Sequence, residues 1–384
     1  MIPFNKPFTT GNELIYIADA VALGKLSGNG KYTKLAQDFF EESIGIKKAL
    51  LTTSCTDALE MCALLLDIQP GDEVIMPSFT FVSTANAFIL RGAKIVFVDS
   101  RSDHPGMDES GIESLITQKT KAIVVVHYGG IACDMEKILS MASQHELAVV
   151  EDAAHSIGST YSFSNGKRKH LGTIGHLCTY SFHETKNISS GEGGLLGIND
   201  ERFSNRAEII WEKGTNRTSF FRGEVDKYGW VDIGSSFLPS EVTAAFLWAQ
   251  LEQLDKIQKK RIQIWERYWE NLFGKVEEYG IKLPFIPGFA TKNGNMFYLV
   301  AKSTAQRDYL LAELNAAGVL AVFHYQSLHQ SAYFQMKHDG RVLPNADHYS
   351  DLLFRLPLYF DLDLDQVDDI CEILIDRVKE FSKT

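Results

Sequence analysis

Cys178-Thr-Tyr-Ser-Phe-His-Glu-Thr-Lys186-Asn-Ile-Ser-Ser-Gly-Glu-Gly-Gly194 is the stretch from which the rest of the chain is read. It opens on a short β-rich run, Cys178–Phe182, and closes on glycines, with one lysine between them. A second apolar run, Leu147-Ala-Val-Val-Glu151, ends in Asp152-Ala-Ala-His155. Both runs read as buried strands, so an amine and a carboxylate each stand at or just past a strand end. Either residue alone is common in α/β proteins. As a pair they meet the two needs of pyridoxal phosphate. Lys186 would form the Schiff base, and Asp152 would keep the pyridine nitrogen protonated so that the ring accepts electrons.

Outward from that stretch, short apolar runs alternate with amphipathic ones. Candidate strands are Ala49–Thr52, Glu73–Met76, Lys94–Val98, Ala122–Val126, Leu147–Glu151, Cys178–Phe182 and Gly194–Ile198. Helical periodicity appears at Ala58–Leu66, Ser83–Leu90, Met135–Gln144 and Glu201–Glu212. Continuous Val/Ile/Leu strands between helices imply an α/β fold with a mostly parallel sheet covered on both faces. Ligands in such sheets lie beyond the carboxyl ends of the strands. One long helical pattern then runs from Pro239 to about Tyr268, and Pro284, Pro287 and Gly288 punctuate a loop. Strands near Met296–Val300 and Ala321–His324 and a helix near Asp365–Phe381 form a smaller α+β unit. The expected division is a large cofactor-binding domain over 1–250 and a small C-terminal domain over 251–384.

The bulk properties narrow the class. At roughly 150 residues per domain, 384 residues suggest two domains, and 45% apolar with 23% charged content is ordinary for a globular protein. No apolar stretch has the roughly 18–20 residues needed to span a bilayer. The start, Met1-Ile-Pro-Phe-Asn-Lys-Pro7, has no basic segment followed by an apolar one, so a cytoplasmic protein is expected. Cys55, Cys62, Cys133, Cys178 and Cys371 have no paired spacing, which favours reduced thiols. A formal charge of −11 argues against a nucleic-acid binder but leaves room for an anionic small substrate.

Other positions carry chemistry. Thr52-Thr-Ser-Cys-Thr-Asp-Ala-Leu59 joins a strand to a helix, where a phosphate can sit on the amides of Cys55 to Asp57. Plain capping by Ser54 or Thr56 is the competing reading. Neither a Walker motif nor GxGxxG occurs. Phe81 follows the second strand and can stack on a flat heterocycle. Ser181 can donate to the phosphate, and His155 to a phenolic oxygen. His324 and His329 lie on a strand-then-loop segment without thiol or carboxylate support, so substrate contact is expected there and no metal. Lys213, Arg217, Arg222 and Lys227 form a basic loop, either a solvated face or a grip for a pyrophosphate.

Ser54-Cys-Thr-Asp-Ala-Leu59, Gly71-Asp-Glu-Val-Ile-Met-Pro-Ser-Phe-Thr-Phe81, Glu151-Asp-Ala-Ala-His155, Ser181-Phe-His-Glu-Thr-Lys-Asn187 and Gly191-Glu-Gly-Gly194 come in a telling order. They resemble the motifs of the DegT/StrS-type nucleotide-sugar aminotransferases, a branch of the fold-type I pyridoxal-phosphate enzymes. Leu64-Leu-Leu-Asp-Ile-Gln-Pro-Gly-Asp-Glu-Val74, Glu212-Lys-Gly-Thr-Asn-Arg217 and Asp232-Ile-Gly-Ser-Ser236 resemble the members that aminate TDP-4-keto-6-deoxyglucose at C4.

The resemblance implies Lys186 as the Schiff-base lysine, Asp152 as partner of the ring nitrogen and His155 at the phenolic oxygen. It implies Phe81 on the ring, and Cys55, Thr56 and Ser181 at the phosphate. It also implies a homodimer with shared active sites, glutamate as amino donor, a TDP-linked ketosugar as acceptor, and a setting in lipopolysaccharide or O-antigen biosynthesis. Many relatives carry Gly-Tyr-Asn-x-Arg before the long helix. This chain reads Gly234-Ser-Ser236-Phe-Leu238 there, so Ser236 takes the place of the asparagine that reaches the partner's phosphate. The expected product is TDP-4-amino-4,6-dideoxygalactose, with the gluco epimer or a 3-ketosugar as alternatives. A sugar dehydratase of the same fold would have histidine at Lys186. A non-catalytic cofactor-binding regulator would sit better with a DNA-binding segment.

Overall fold

The computed structural model describes residues 1–383. Seven strands make the central sheet: β1 (Lys48–Thr52), β2 (Glu73–Pro77), β3 (Lys94–Val98), β4 (Thr120–Val126) and β5 (Ala148–Asp152) come first. A hairpin of β6 (Thr160–Ser162) and β7 (Arg168–His170) intervenes before β8 (Leu177–Ser181) and β9 (Gly194–Ile198). The order is β1-β9-β8-β5-β4-β2-β3. β9 runs antiparallel to both neighbours and every other pairing is parallel. This is the α/β, mostly parallel arrangement that the sequence pattern implies.

Burial explains the pattern. Every residue of β2 and of β9 is buried, because helices cover both faces of the sheet. On one face Val74, Met76 and Val124 pack with Leu59 and Met61 of the helix Cys55–Leu65 and with Phe88 of Val82–Ile89. On the other, Ile123, Val125 and Val149 meet Met135, Ile138 and Ala142 of Met135–Gln144. No helix of the described residues is long and apolar enough to cross a membrane.

The long helical pattern is two helices, Glu241–Leu251 and Leu254–Leu272, with a break at Glu252–Gln253. Each half has a different partner. The first packs on helices Glu13–Ala22 and Lys31–Phe39 near the N-terminus, and the second on Leu364–Phe381. A second sheet holds β10 (Phe297–Val300), β11 (Val322–Phe323) and β12 (Leu353–Leu356), with β12 central and all pairings antiparallel. The sequence reading anticipates only two of these strands, since β12 follows the helix Pro344–Leu352 with no turn residue between them. Phe354 and Leu356 enter a core with Ile264, Tyr268 and Leu374, whereas Leu353 and Tyr298 pack with the large sheet's core. The two faces of this small sheet thus serve two cores.

Glu241 ties the N-terminal helices down. Its buried carboxylate accepts from the amides of Gly30 (2.9 Å), Tyr32 (2.8 Å) and Thr33 (3.2 Å) and from the Thr33 hydroxyl. Gly30 has no capping side chain, so Glu241 caps Lys31–Phe39 from another element. Leaving three buried donors unmet costs about 3 kcal/mol or more. Urea unfolding of Glu241→Ala should show a loss of that size. A change below about 0.5 kcal/mol, the scale of an ordinary surface substitution, would mean that this cap is dispensable.

Candidate active site

Asp152 ends β5, and β8 lies beside it in parallel register, with Asp152 opposite Thr179. The chain leaves β8 at Ser181, loops through Lys186 and returns as β9 at Gly194, which pairs with Ser181. Backbone bonds from Phe182 to Gly193, Glu184 to Gly191 and Ser190 to Phe182 close this loop. Asn187 fixes its tip, donating to Gln258 Oε1 (2.7 Å) and the Asn293 carbonyl (2.9 Å) and accepting from Asn295 (3.0 Å). Asp152 and Lys186 consequently line one cavity of about 490 Å³, a size suited to a small-molecule ligand.

Burial lowers the Lys186 amine to about 8, with Cys55 and Asp152 pulling it back up and Arg355 adding to the fall. A sizeable neutral, nucleophilic fraction is therefore present near neutral pH. Burial raises the Asp152 carboxyl, opposed by the Thr84 hydroxyl at Oδ2 (2.7 Å), the Ala154 amide at Oδ1 (3.2 Å) and the charge of Lys186. Asp152 makes no ion pair among the described residues, so a protonated heterocycle in the cavity would give it the missing counter-charge.

The remaining lining fits the same ligand. Phe81 is 54% exposed and turns its ring to the cavity, as a stacking surface requires. His155 accepts the Gly129 amide at Nδ1 (3.2 Å), which leaves Nε2–H to donate; burial and the charges of Lys186 and Arg355 hold the ring neutral. Ser54 caps Cys55–Leu65 by accepting the Asp57 amide (3.1 Å). Asp57 thus has no free amide for a phosphate, and the first-turn amides of Cys55 and Thr56 remain, with the Ser181 hydroxyl in the same cavity. β9 approaches this turn so closely that a Cβ on Gly194 would fall 2.4 Å from the Cys55 nitrogen. A buried carboxylate, an amine, a ring face and an anion cradle are what pyridoxal phosphate needs.

The structure places the other sequence candidates differently. His324 lines the cavity, its Nδ1 2.5 Å from the Tyr128 hydroxyl and its ring stacked on Tyr325. His329 does not. It is buried behind the cavity, with Nδ1 on Ser78 Oγ (2.7 Å) and Nε2 3.4 Å from Asp347. Arg217, Arg222, Lys227 and Ser236 are exposed and lie outside the chain's own cavity. Arg222 is held by Glu208 and Glu224, and Arg217 lies over the Phe221 ring. Thr84, Tyr325 and Arg355 also line the site, though none of them is a site candidate in the sequence reading. No group of metal-ligating side chains occurs among the described residues.

Residues 9–375 match the DegT/DnrJ/EryC1/StrS aminotransferase family. The chain belongs to that family. It is 31% identical over 387 residues to the spore coat polysaccharide biosynthesis protein SpsC of Bacillus subtilis (strain 168), covering 98% of this chain and 97% of that protein. Among solved structures it resembles the aminotransferase TlmJ from Streptoalloteichus hindustanus (TM-score 0.89, 26% identity, 99% of this chain and 100% of the other). It also resembles the putative sugar aminotransferase Spr1654 of Streptococcus pneumoniae in its PMP form (TM-score 0.90, 25% identity, 99% and 100%). Spr1654 is solved in a PLP form as well. The family's cofactor is pyridoxal phosphate, and the cavity residues fit it. Gly194→Ala should push β9 off the Ser54–Cys55 peptide, costing about 1–3 kcal/mol of stability and about tenfold or more in cofactor affinity. Absorbance titration of the apoprotein with pyridoxal phosphate measures the second effect; wild-type affinity would show that this approach does not shape the phosphate cradle.

Proposed function

We propose that the chain transfers the amino group of glutamate to C4 of a TDP-linked 4-keto-6-deoxyhexose, giving TDP-4-amino-4,6-dideoxygalactose. The observation that carries this reading is the convergence of Lys186 and Asp152 on one cavity in a member of an aminotransferase family. A sugar acceptor is supported by the description of SpsC in polysaccharide biosynthesis and of Spr1654 as a putative sugar aminotransferase. The TDP-4-keto choice rests on the resemblance of stretches such as Glu212–Arg217.

Pyridoxal phosphate supplies an electron sink conjugated to the reacting amine. Lys186 Nζ would hold it covalently and, once released, would move a proton between the cofactor's C4′ and the substrate carbon, the donor's α-carbon in one half-reaction and the sugar's C4 in the other; burial lowers the amine to about 8, which suits it to both roles. Asp152, oriented by Thr84, would meet the ring nitrogen and keep it protonated. His155 Nε2–H would meet the phenolic oxygen, Phe81 would cover the ring, and Cys55, Thr56 and Ser181 would hold the phosphate. His324 faces the sugar.

Arg217, Arg222, Lys227 and Ser236 complete the partner's cavity in a homodimer, with the basic side chains on the nucleotide's phosphates. The same loop exposes Trp230 (84%), Phe221 and Val231, apolar area that a second copy would cover. The test is incubation with glutamate and TDP-4-keto-6-deoxyglucose, with the product read by NMR. An axial 4-amine is expected, and Lys186→Ala should lower turnover by several orders of magnitude while the protein still folds. An equatorial amine would assign the gluco epimer, and turnover only of a 3-ketosugar would overturn the C4 assignment.

A further inference from the structure

Arg355 sits on β12 between Phe354 and Leu356, whose side chains enter the small sheet's core. Strand alternation sends Arg355 the other way, into the cavity with Lys186 and Asp152. Its Nε is buried without a hydrogen-bond partner, and Nη2 has one long bond, 3.4 Å to the Phe323 carbonyl. No carboxylate of the described residues pairs with it; the Phe4 ring covers one side at 4.6 Å from Cζ. The fully buried Arg261 differs. Arg261 donates to the carbonyls of Gly294 (3.0 Å), Asn295 (3.0 Å) and Leu358 (3.2 Å).

A half-buried guanidinium with a buried, unpartnered Nε and open donors can receive an anion, since a charge withdrawn from water is costly until it is paired. It lines the same cavity as Lys186, His155 and His324, each lowered first by burial and further by the charge of Arg355. The cofactor's phosphate has its own cradle at the start of Cys55–Leu65. The α-carboxylate of an amino acid is planar, matches the guanidinium fork, and stands one bond from the carbon whose amine must reach the cofactor.

We propose that Arg355 receives the α-carboxylate of the amino-acid donor and so delivers the donor's amine to the place where Lys186 Nζ stands. This rests on the aminotransferase reading above. The probe is α-methyl-L-glutamate, which has no α-hydrogen and stops before proton transfer. Its binding to holoprotein is measured by calorimetry for wild type, Arg355→Lys and Arg355→Met, beside that of thymidine diphosphate.

Arg355→Met should weaken α-methyl-L-glutamate by about tenfold to a hundredfold. Arg355→Lys, which keeps the charge and the fold but loses the fork, should fall between. Thymidine diphosphate should change by less than about twofold in either. Unchanged α-methyl-L-glutamate binding in both variants would overturn the proposal, as would weakening confined to thymidine diphosphate, which would assign Arg355 to the nucleotide. Wild-type holoprotein that binds thymidine diphosphate but no amino acid would remove the donor reading itself, and this proposal with it.

Discussion

The parallel pairing of β5 with β8 is the constraint on which the site depends. It brings Asp152 beside Thr179 and so fixes where the chain can place the loop that carries Lys186. Both groups line one cavity, where burial raises the carboxyl and lowers the amine and each moderates the other's shift. Neither residue could hold its place alone. Asp152 is oriented by Thr84 from the helix Val82–Ile89, and the loop is closed by the return of β9 and by Asn187. Three elements that are distant in sequence therefore over-determine one carboxylate and one amine.

The small sheet extends this arrangement. Its outer face is a separate core, but Leu353 and Tyr298 pack with the large sheet's core, so the two sheets share packed side chains. Between them, Arg355, His324 and Tyr325 close the cavity opposite the strand ends. Tyr325 holds a left-handed backbone (φ 40°), a conformation that non-glycine residues seldom adopt, and its ring stacks on His324. Strain of this kind collects where a side chain must face a ligand.

Much of this was legible in the sequence because parallel strands buried on both faces become continuous Val/Ile/Leu runs. All seven strands of the large sheet appear within one or two residues of their expected places. Lys186, Asp152, His155, Phe81, Ser181, Cys55 and Thr56 stood at strand ends or in motifs, and the fold brings them to one cavity. Thr84 and Arg355 were not singled out because their roles come from neighbours far along the chain; Arg355 sits inside an otherwise apolar run, Leu352–Leu356. His329 looked like a companion of His324, yet the short helical turn at Leu328–Gln330 aims it at Ser78. The helix expected over Pro239–Tyr268 breaks because its halves bury faces against different partners, which periodicity alone does not encode.

The whole site turns on whether Lys186 is the amine that holds the cofactor. Borohydride reduction of the holoprotein fixes the cofactor to whichever amine carries it, and proteolysis with mass spectrometry then locates the label. The phosphopyridoxyl mass is expected on the peptide containing Ser181-Phe-His-Glu-Thr-Lys186, at one equivalent per chain. A label on another lysine, or a holoprotein whose cofactor is never trapped, would contradict it.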